Sequence, residues 1–153
     1  MKTVITYGTF DLFHVGHVRL LRRLRALGDR LIVGCSTDEF NDIKGKQSIF
    51  SYDDRSEIVK SCEYVDDVFP ENNWDQKVDD VIKYKADIFA MGDDWIGKFD
   101  FLEAQTGCTV TYLARTPDIS TTQVKSVVAK IDEERKAALV NQISALLDHV
   151  QKL

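Results

Sequence analysis

At 153 residues, with 44% hydrophobic and 29% charged side chains, the chain has the composition of one globular domain able to bury a sizeable core. Its 25 Asp and Glu outnumber 20 Lys and Arg, a formal charge of −5 that argues against a general nucleic-acid surface. Cys35, Cys62 and Cys108 are odd in number and lack C-x-x-C spacing, so neither a disulfide framework nor a zinc knuckle is expected. No apolar run approaches a membrane span, and Gly8 interrupts the N-terminus before a signal-peptide core could form. The expectation is a cytoplasmic protein with neither membrane nor nucleic acid as a partner.

Val4 to Tyr7, β-branched and aromatic and closed by Gly8, reads as a buried strand. Val18, Leu21, Leu24 and Leu27 then recur at helical spacing, Leu20 widens the stripe, and Arg19, Arg22, Arg23 and Arg25 suit a solvated face. Gly28 is a stop signal, and Leu31 to Val33 form a second strand. If parallel, such a strand, helix and strand make a right-handed crossover whose first loop lies at a ligand-binding edge. Ser36 to Phe50 is polar, with one helical turn near Asp38 and a flap-like loop at Lys44-Gly45-Lys46-Gln47. Ser51 caps a helix through Arg55, Ile58, Val59 and Cys62. The role of Arg55 stays open between pairing with Asp66 or another acid and reaching a phosphate.

Val65 to Phe69 reads as a strand closed by Pro70, Val78 to Tyr84 as a helix, and Ile88 to Met91 as a strand ending in Gly92-Asp93-Asp94-Trp95. A short helix over Phe101 to Gln105 precedes a fifth strand, Val110 to Leu113. Ser120 and Gln123 have capping-box spacing and begin a helix whose N–H groups are expected at the same edge as the first loop. Lys130 to Leu153 reads as a separate helix. Its Leu139, Ile143, Leu146, Val150 and Leu153 form a coiled-coil-like seam that suits either its own domain or a partner chain. The alternation predicts a doubly wound parallel α/β sheet, as a domain over residues 1–130 with a C-terminal helical extension over 131–153.

The stretch Tyr7 to His17 joins the first strand to the first helix, where unpartnered N–H groups and the peptide dipoles favour an anion. His14-x-Gly16-His17 has three readings. Two histidines one turn apart could bind a metal, but no third ligand motif accompanies them. They could be ordinary capping or core histidines. Beside Gly8, Thr9 and Asp11, they also suit phosphate contacts, and Gly16 would let a nucleotide lie close to the backbone.

Gly8-Thr9-Phe10-Asp11 with His14-x-Gly16-His17, followed by Arg115-Thr116-x-x-Ile119-Ser120-Thr121-Thr122, resembles the paired signatures of the HxGH nucleotidyltransferases. Within that superfamily, Ser36 to Asn41, Tyr64-Val65-Asp66 and Met91 to Trp95 with Gly97 to Phe101 are similar to the cytidylyltransferase family that acts on glycerol 3-phosphate. The resemblance runs from Thr3 to about Ala129. It implies a Rossmann-like fold, a homodimer, and transfer of CMP from CTP to glycerol 3-phosphate with Mg2+ present, giving CDP-glycerol and pyrophosphate for a cell-envelope or capsule polymer.

Carried over by position, the resemblance implies that Gly8, Thr9, Phe10, Asp11, His14, Gly16, His17, Lys46, Asp94, Arg115, Thr116, Ile119, Ser120, Thr121 and Thr122 bind the nucleotide. Lys44 and Lys77 would hold the acceptor phosphate. His14, His17, Lys44, Lys46 and Arg115 would serve catalysis, and Asp11 and Asp94 would hold magnesium or organise the site. The chain departs from the pattern at Glu63, where the family carries Arg, and in the helix beyond Ala129. Those departures keep two alternatives open: a sister enzyme for another alcohol phosphate such as ribitol or ethanolamine phosphate, and a non-catalytic nucleotide-binding module.

Overall fold

The computed structural model describes residues 1–117 and 119–151, in two units, Met1–Asp118 and Ile119–Leu153. Five strands of the first unit, β1 (Thr3–Gly8), β2 (Arg30–Ser36), β3 (Asp67–Glu71), β4 (Ile88–Gly92) and β5 (Thr109–Leu113), form a sheet in the order β3-β2-β1-β4-β5. Every pairing is parallel. The chain winds outward from β1 to β3, returns to lay β4 on the other side of β1, and winds outward again. Between β1 and β4 it therefore has the switch point at which such sheets open a ligand crevice at the C-terminal strand ends.

Both sheet faces are covered, so the strands are apolar at odd and even positions alike. Val4, Leu31, Val33 and Ala90 pack on one face with Leu21 and Leu24 of α1 (Val15–Arg25) and Val59 of α3 (Tyr52–Lys60). Ile5, Tyr7, Ile32 and Phe89 pack on the other with Val81 of α4 (Lys77–Tyr84) and Leu102 of α5 (Phe101–Thr106). The short α2 (Asp38–Ile43) is capped by Thr37, whose hydroxyl accepts from the Phe40 N–H at 3.2 Å. The arginines of α1 are not simply solvated: Arg23 donates to the Ala114 carbonyl at 2.7 Å, at the end of β5.

Two elements differ from the sequence reading. Pro70, expected to close the third strand, lies inside it, opposite Cys35 of β2. An edge strand tolerates proline because its outer side needs no ladder donor. The shift carries Glu71 to the strand's C-terminal end, where it is buried.

The second unit is one helix, α6 (Thr121–Val150), with no break at Lys130. No Gly or Pro interrupts its sequence, and the Lys136 ammonium meets Asp132 at 2.9 Å one turn back. Leu139, Ile143, Leu146 and Val150 are exposed along it, while Lys152 and the Leu153 of the expected seam lie outside the described residues.

Candidate active site

The loop leaving β1 is wound tightly. Phe10 and Leu12 have φ of 54° and 49°, a left-handed conformation that residues with side chains seldom adopt. Several bonds hold it there. The buried Asp11 carboxylate accepts the N–H groups of Leu12 at 3.1 Å, Ile49 at 2.8 Å and Phe50 at 3.0 Å. Arg55, fully buried, donates to the Thr9 carbonyl at 2.8 Å, the Phe50 carbonyl at 3.0 Å and the Asp38 carboxylate at 2.8 Å. Its partner is thus Asp38, and Asp66 instead meets Arg25 at 3.5 Å. Gly8 admits the Phe10 ring, which a Cβ there would approach to 2.8 Å.

The two histidines close this loop onto α1 as a reciprocal cap. His14 Nδ1 accepts the Gly16 N–H at 3.0 Å, and His17 Nδ1 accepts the His14 N–H at 3.2 Å. The rings stack with centroids 3.9 Å apart. An Nδ1 that accepts places the proton of a neutral imidazole on Nε2, so both rings are Nε2–H donors. Burial, followed by the neighbouring His14, pushes His17 down to about 4, against a smaller opposing pull from Asp11. Burial also lowers His14. At neutral pH the pair is uncharged, suited to donating hydrogen bonds and unsuited to strong base catalysis.

This fixes a pH dependence. The folded His17 titrates near 4 and an unfolded histidine near 6.5, so the unfolded state binds more protons between those values. The stabilisation is complete above pH 6.5 and is lost as pH falls towards 4. Denaturant midpoints across that window are expected to drop with pH in the wild type and to drop less in His17→Asn. Equal slopes in the two proteins would assign the loss to carboxylates.

Beyond the loop lies a small cavity of about 70 Å³, lined by Lys44, Lys46, Glu71, Trp74 and Lys77 among others. Glu71, 3% exposed, organises it. One carboxylate oxygen accepts from Lys77 Nζ at 2.8 Å, and the other accepts from the Ser36 hydroxyl at 2.5 Å. Lys44 Nζ donates to that hydroxyl at 2.8 Å and stands 3.8 Å from Glu71. Lys44 is pushed below the ordinary lysine range, chiefly by burial, with Glu71 opposing the shift. The Lys46 backbone is fastened to the Asn41 carbonyl at 2.8 Å, and Thr9 donates to the Asn41 side chain at 3.0 Å.

At the ends of β4 and β5, Arg115 meets Asp94 at 2.9 Å, and its N–H donates to Asp93 at 3.4 Å. Thr116 follows in the same unit. Ile119, Ser120, Thr121 and Thr122 open the second unit, where the Ser120 hydroxyl caps α6 by accepting the Gln123 N–H at 3.2 Å. The first unit thus carries the histidines, Lys44, Lys46, Lys77, Asp94 and Arg115 along the C-terminal edge of one sheet. Glu71 is not found by sequence reasoning, since a single acid after a proline gives no sign of the lysines it faces.

Among the described residues no group of three or more His, Cys, Asp or Glu side chains converges to hold a metal. Both Asp11 oxygens take backbone N–H groups, which makes that residue an organiser of the loop.

A family model described as cytidylyltransferase-like matches residues 5–127. The chain belongs to the cytidylyltransferase-like family. Over 129 residues it is 56% identical to the glycerol-3-phosphate cytidylyltransferase of Bacillus subtilis (strain 168), a match spanning 84% of this chain and 98% of that protein. The enzyme of the same name from Staphylococcus aureus is 57% identical over 125 residues, 82% of this chain and 93% of the relative. Among solved structures, the lipopolysaccharide core biosynthesis protein from Thermoplasma volcanium aligns with a TM-score of 0.63 and 30% identity, covering 78% of this chain and 99% of that one. In this cytidylyltransferase-like protein the matched region ends at residue 127, inside α6, and the rest of the helix lies beyond it.

Proposed function

We propose that this cytidylyltransferase-like protein transfers CMP from CTP to glycerol 3-phosphate, releasing pyrophosphate and forming CDP-glycerol. The observation that carries the reading is 56% identity across 98% of a relative named for that activity. The site's chemistry supports it. A phosphate monoester has a second pKa near 6, so its attacking oxygen is ionised at neutral pH and needs no strong base. That oxygen forms a bond to the α-phosphorus of CTP while the bond to the bridging oxygen breaks, and pyrophosphate leaves with the electron pair. The obstacle is repulsion among phosphates, which calls for donors and cations already in place.

In this reading the Nε2–H groups of His14 and His17 donate to the CTP phosphates, with Gly8, Thr9, Phe10 and Gly16 shaping the approach. Lys46 and Arg115 add positive charge, and Lys44 and Lys77 bind the acceptor phosphate. Thr116, Ile119, Ser120, Thr121 and Thr122 complete the nucleotide contacts by resemblance.

Mg2+ fits as a companion of the triphosphate, since magnesium keeps much of its water and commonly binds through substrate phosphates and one or two carboxylates. By resemblance Asp94, which pairs with Arg115 at 2.9 Å, would be the carboxylate that helps hold it, and the ion would supply charge neutralisation. The reading includes a cytoplasmic location, supported by three free cysteines, and a homodimer, which sedimentation equilibrium would show as twice 17.4 kDa.

The test is pyrophosphate release from CTP, ATP and GTP against a panel of phosphorylated alcohols. Release dependent on both CTP and glycerol 3-phosphate is expected. Silence with that pair, where another pair reacts, would reject the assigned substrates.

A further inference from the structure

Lys77 begins α4 and is only 1% exposed. Its ammonium lies 4.5 Å from the centroid of the Tyr7 ring, 5.2 Å from that of Trp74 and 5.5 Å from that of Phe99, with Glu71 at 2.8 Å. Aromatic faces around a carboxylate are the arrangement that recognises an alkylammonium ion, because ring quadrupoles and a full negative charge converge on it. Here the chain's own ammonium occupies that position.

The surroundings of Lys77 are held by other bonds. The Tyr7 hydroxyl donates to Asp80 at 2.9 Å, and Asp80 also accepts from Gln76 at 2.8 Å. The Tyr7 ring lies over Gly34, where a Cβ would collide with it. Trp74 packs edge-on against Phe40 at 5.2 Å and beside Trp95 at 5.6 Å, and Glu71 is fixed from its other side by Ser36. The rings and the carboxylate thus have partners apart from Lys77, so the cage persists when its occupant is removed.

We propose that Lys77 is the built-in occupant of a cation cage and thereby the specificity determinant that reserves the acceptor pocket for phosphorylated polyols. Alcohol phosphates carrying an ammonium group are rejected. The inference rests on this cavity being the acceptor side of the proposed reaction. An incoming choline or ethanolamine phosphate finds the aromatic faces and Glu71 already engaged, and its cation faces Lys44 and Lys77. A polyol phosphate brings a dianion to the same lysines and hydroxyls to the polar rim. An ammonium has three N–H donors and Lys77 spends one on Glu71, so it can donate to the acceptor phosphate as well.

The experiment compares the full-length wild type with Lys77→Ala, using tetramethylammonium chloride as the binding probe and sodium chloride at matched ionic strength as the control. Tryptophan fluorescence reports binding, since Trp74 borders the cage. The variant is expected to show saturable quenching by tetramethylammonium and a thermal midpoint raised by it, while the wild type responds as it does to sodium. In turnover, the ratio of phosphocholine to glycerol 3-phosphate use is expected to rise about 100-fold or more in the variant.

A folded variant with no saturable response overturns the proposal, as does a wild type that uses phosphocholine or phosphoethanolamine as fast as glycerol 3-phosphate. If Lys77→Ala does not fold in sodium chloride, it is refolded in tetramethylammonium chloride at the same ionic strength, with Glu71 left in place: recovery of the native circular dichroism with tetramethylammonium and not with sodium supports the cage, and no recovery in either salt overturns it. Failure of the transferase reading and failure of the cage are distinguishable. A wild type that turns over no phosphorylated alcohol removes the transferase reading while the tetramethylammonium response still decides the cage. Normal glycerol 3-phosphate turnover beside an unresponsive variant removes only the cage.

Discussion

His17→Ala is expected to lower turnover by about 100-fold or more, the scale of losing one preorganised donor to developing charge. The size follows from the way the ring is held. Its Nδ1 is engaged by the His14 N–H, its face is stacked on the His14 ring, and Phe13 lies 5.3 Å away on a nearly parallel plane. The Nε2–H therefore needs little reorganisation to meet a phosphate oxygen. Water filling the space left by alanine is not oriented in the same way. Since the donor is worth most in the transition state, kcat is expected to fall much more than KM for CTP rises. The check is steady-state kinetics with circular dichroism to confirm folding. Turnover within a few-fold of wild type would remove His17 from the catalytic machinery.

Arg55→Met is expected to cost about 3 kcal/mol of stability, the usual scale for deleting one member of a buried charged network. The substitution fills similar volume but takes the guanidinium from the Phe50 carbonyl and leaves the Thr9 carbonyl to the weaker Cys35 thiol at 3.8 Å. Asp38, about half exposed, can turn to water and softens the loss. A change of that size in a chain of this length corresponds to roughly 10 °C in thermal midpoint. Turnover is expected to fall as well, although Arg55 need touch no substrate, because Thr9 belongs to the loop that carries the histidines. Urea denaturation at neutral pH measures the first effect. A loss below about 1 kcal/mol would mean that water replaces the guanidinium at both carbonyls.

The sequence conveys the fold where apolar patterning is strong. β1, β2, β4 and β5 are short apolar runs because helices cover both faces, whereas their order in the sheet comes from the structure, since crossover handedness fixes only the side on which each helix lies. The bounds of β3 are harder to read, because Pro70 resembles a stop until its position at the sheet edge is known. The single helix α6 reads as two because a cluster of acids just after Lys130 looks like a fresh start, although nothing breaks the backbone.

In the site, the histidines stand out by their spacing, while the lysines and Arg115 are named through the resemblance and have no local signal of their own; the states of all of them are not legible. The protonation of His14 and His17 depends on which ring atoms the backbone reaches. The cage around Lys77 draws on Tyr7, Glu71, Trp74 and Phe99, which no local spacing connects. Phe10 and Leu12 give no glycine signal for the left-handed turn that their surroundings impose.

The reciprocal cap of His14 and His17 has a kinetic consequence. With Nδ1 of each imidazole accepting a backbone N–H, the proton sits on Nε2, and in the proposed reaction, where each ring is a donor alone, it ends there too, while the acceptor arrives already ionised. The bond-making step then carries no proton in flight, and deuterium oxide is expected to leave it close to its rate in ordinary water. Such an enzyme works by holding its hydrogens still, and the velocity it reaches is set by how closely two polyanions can be brought together.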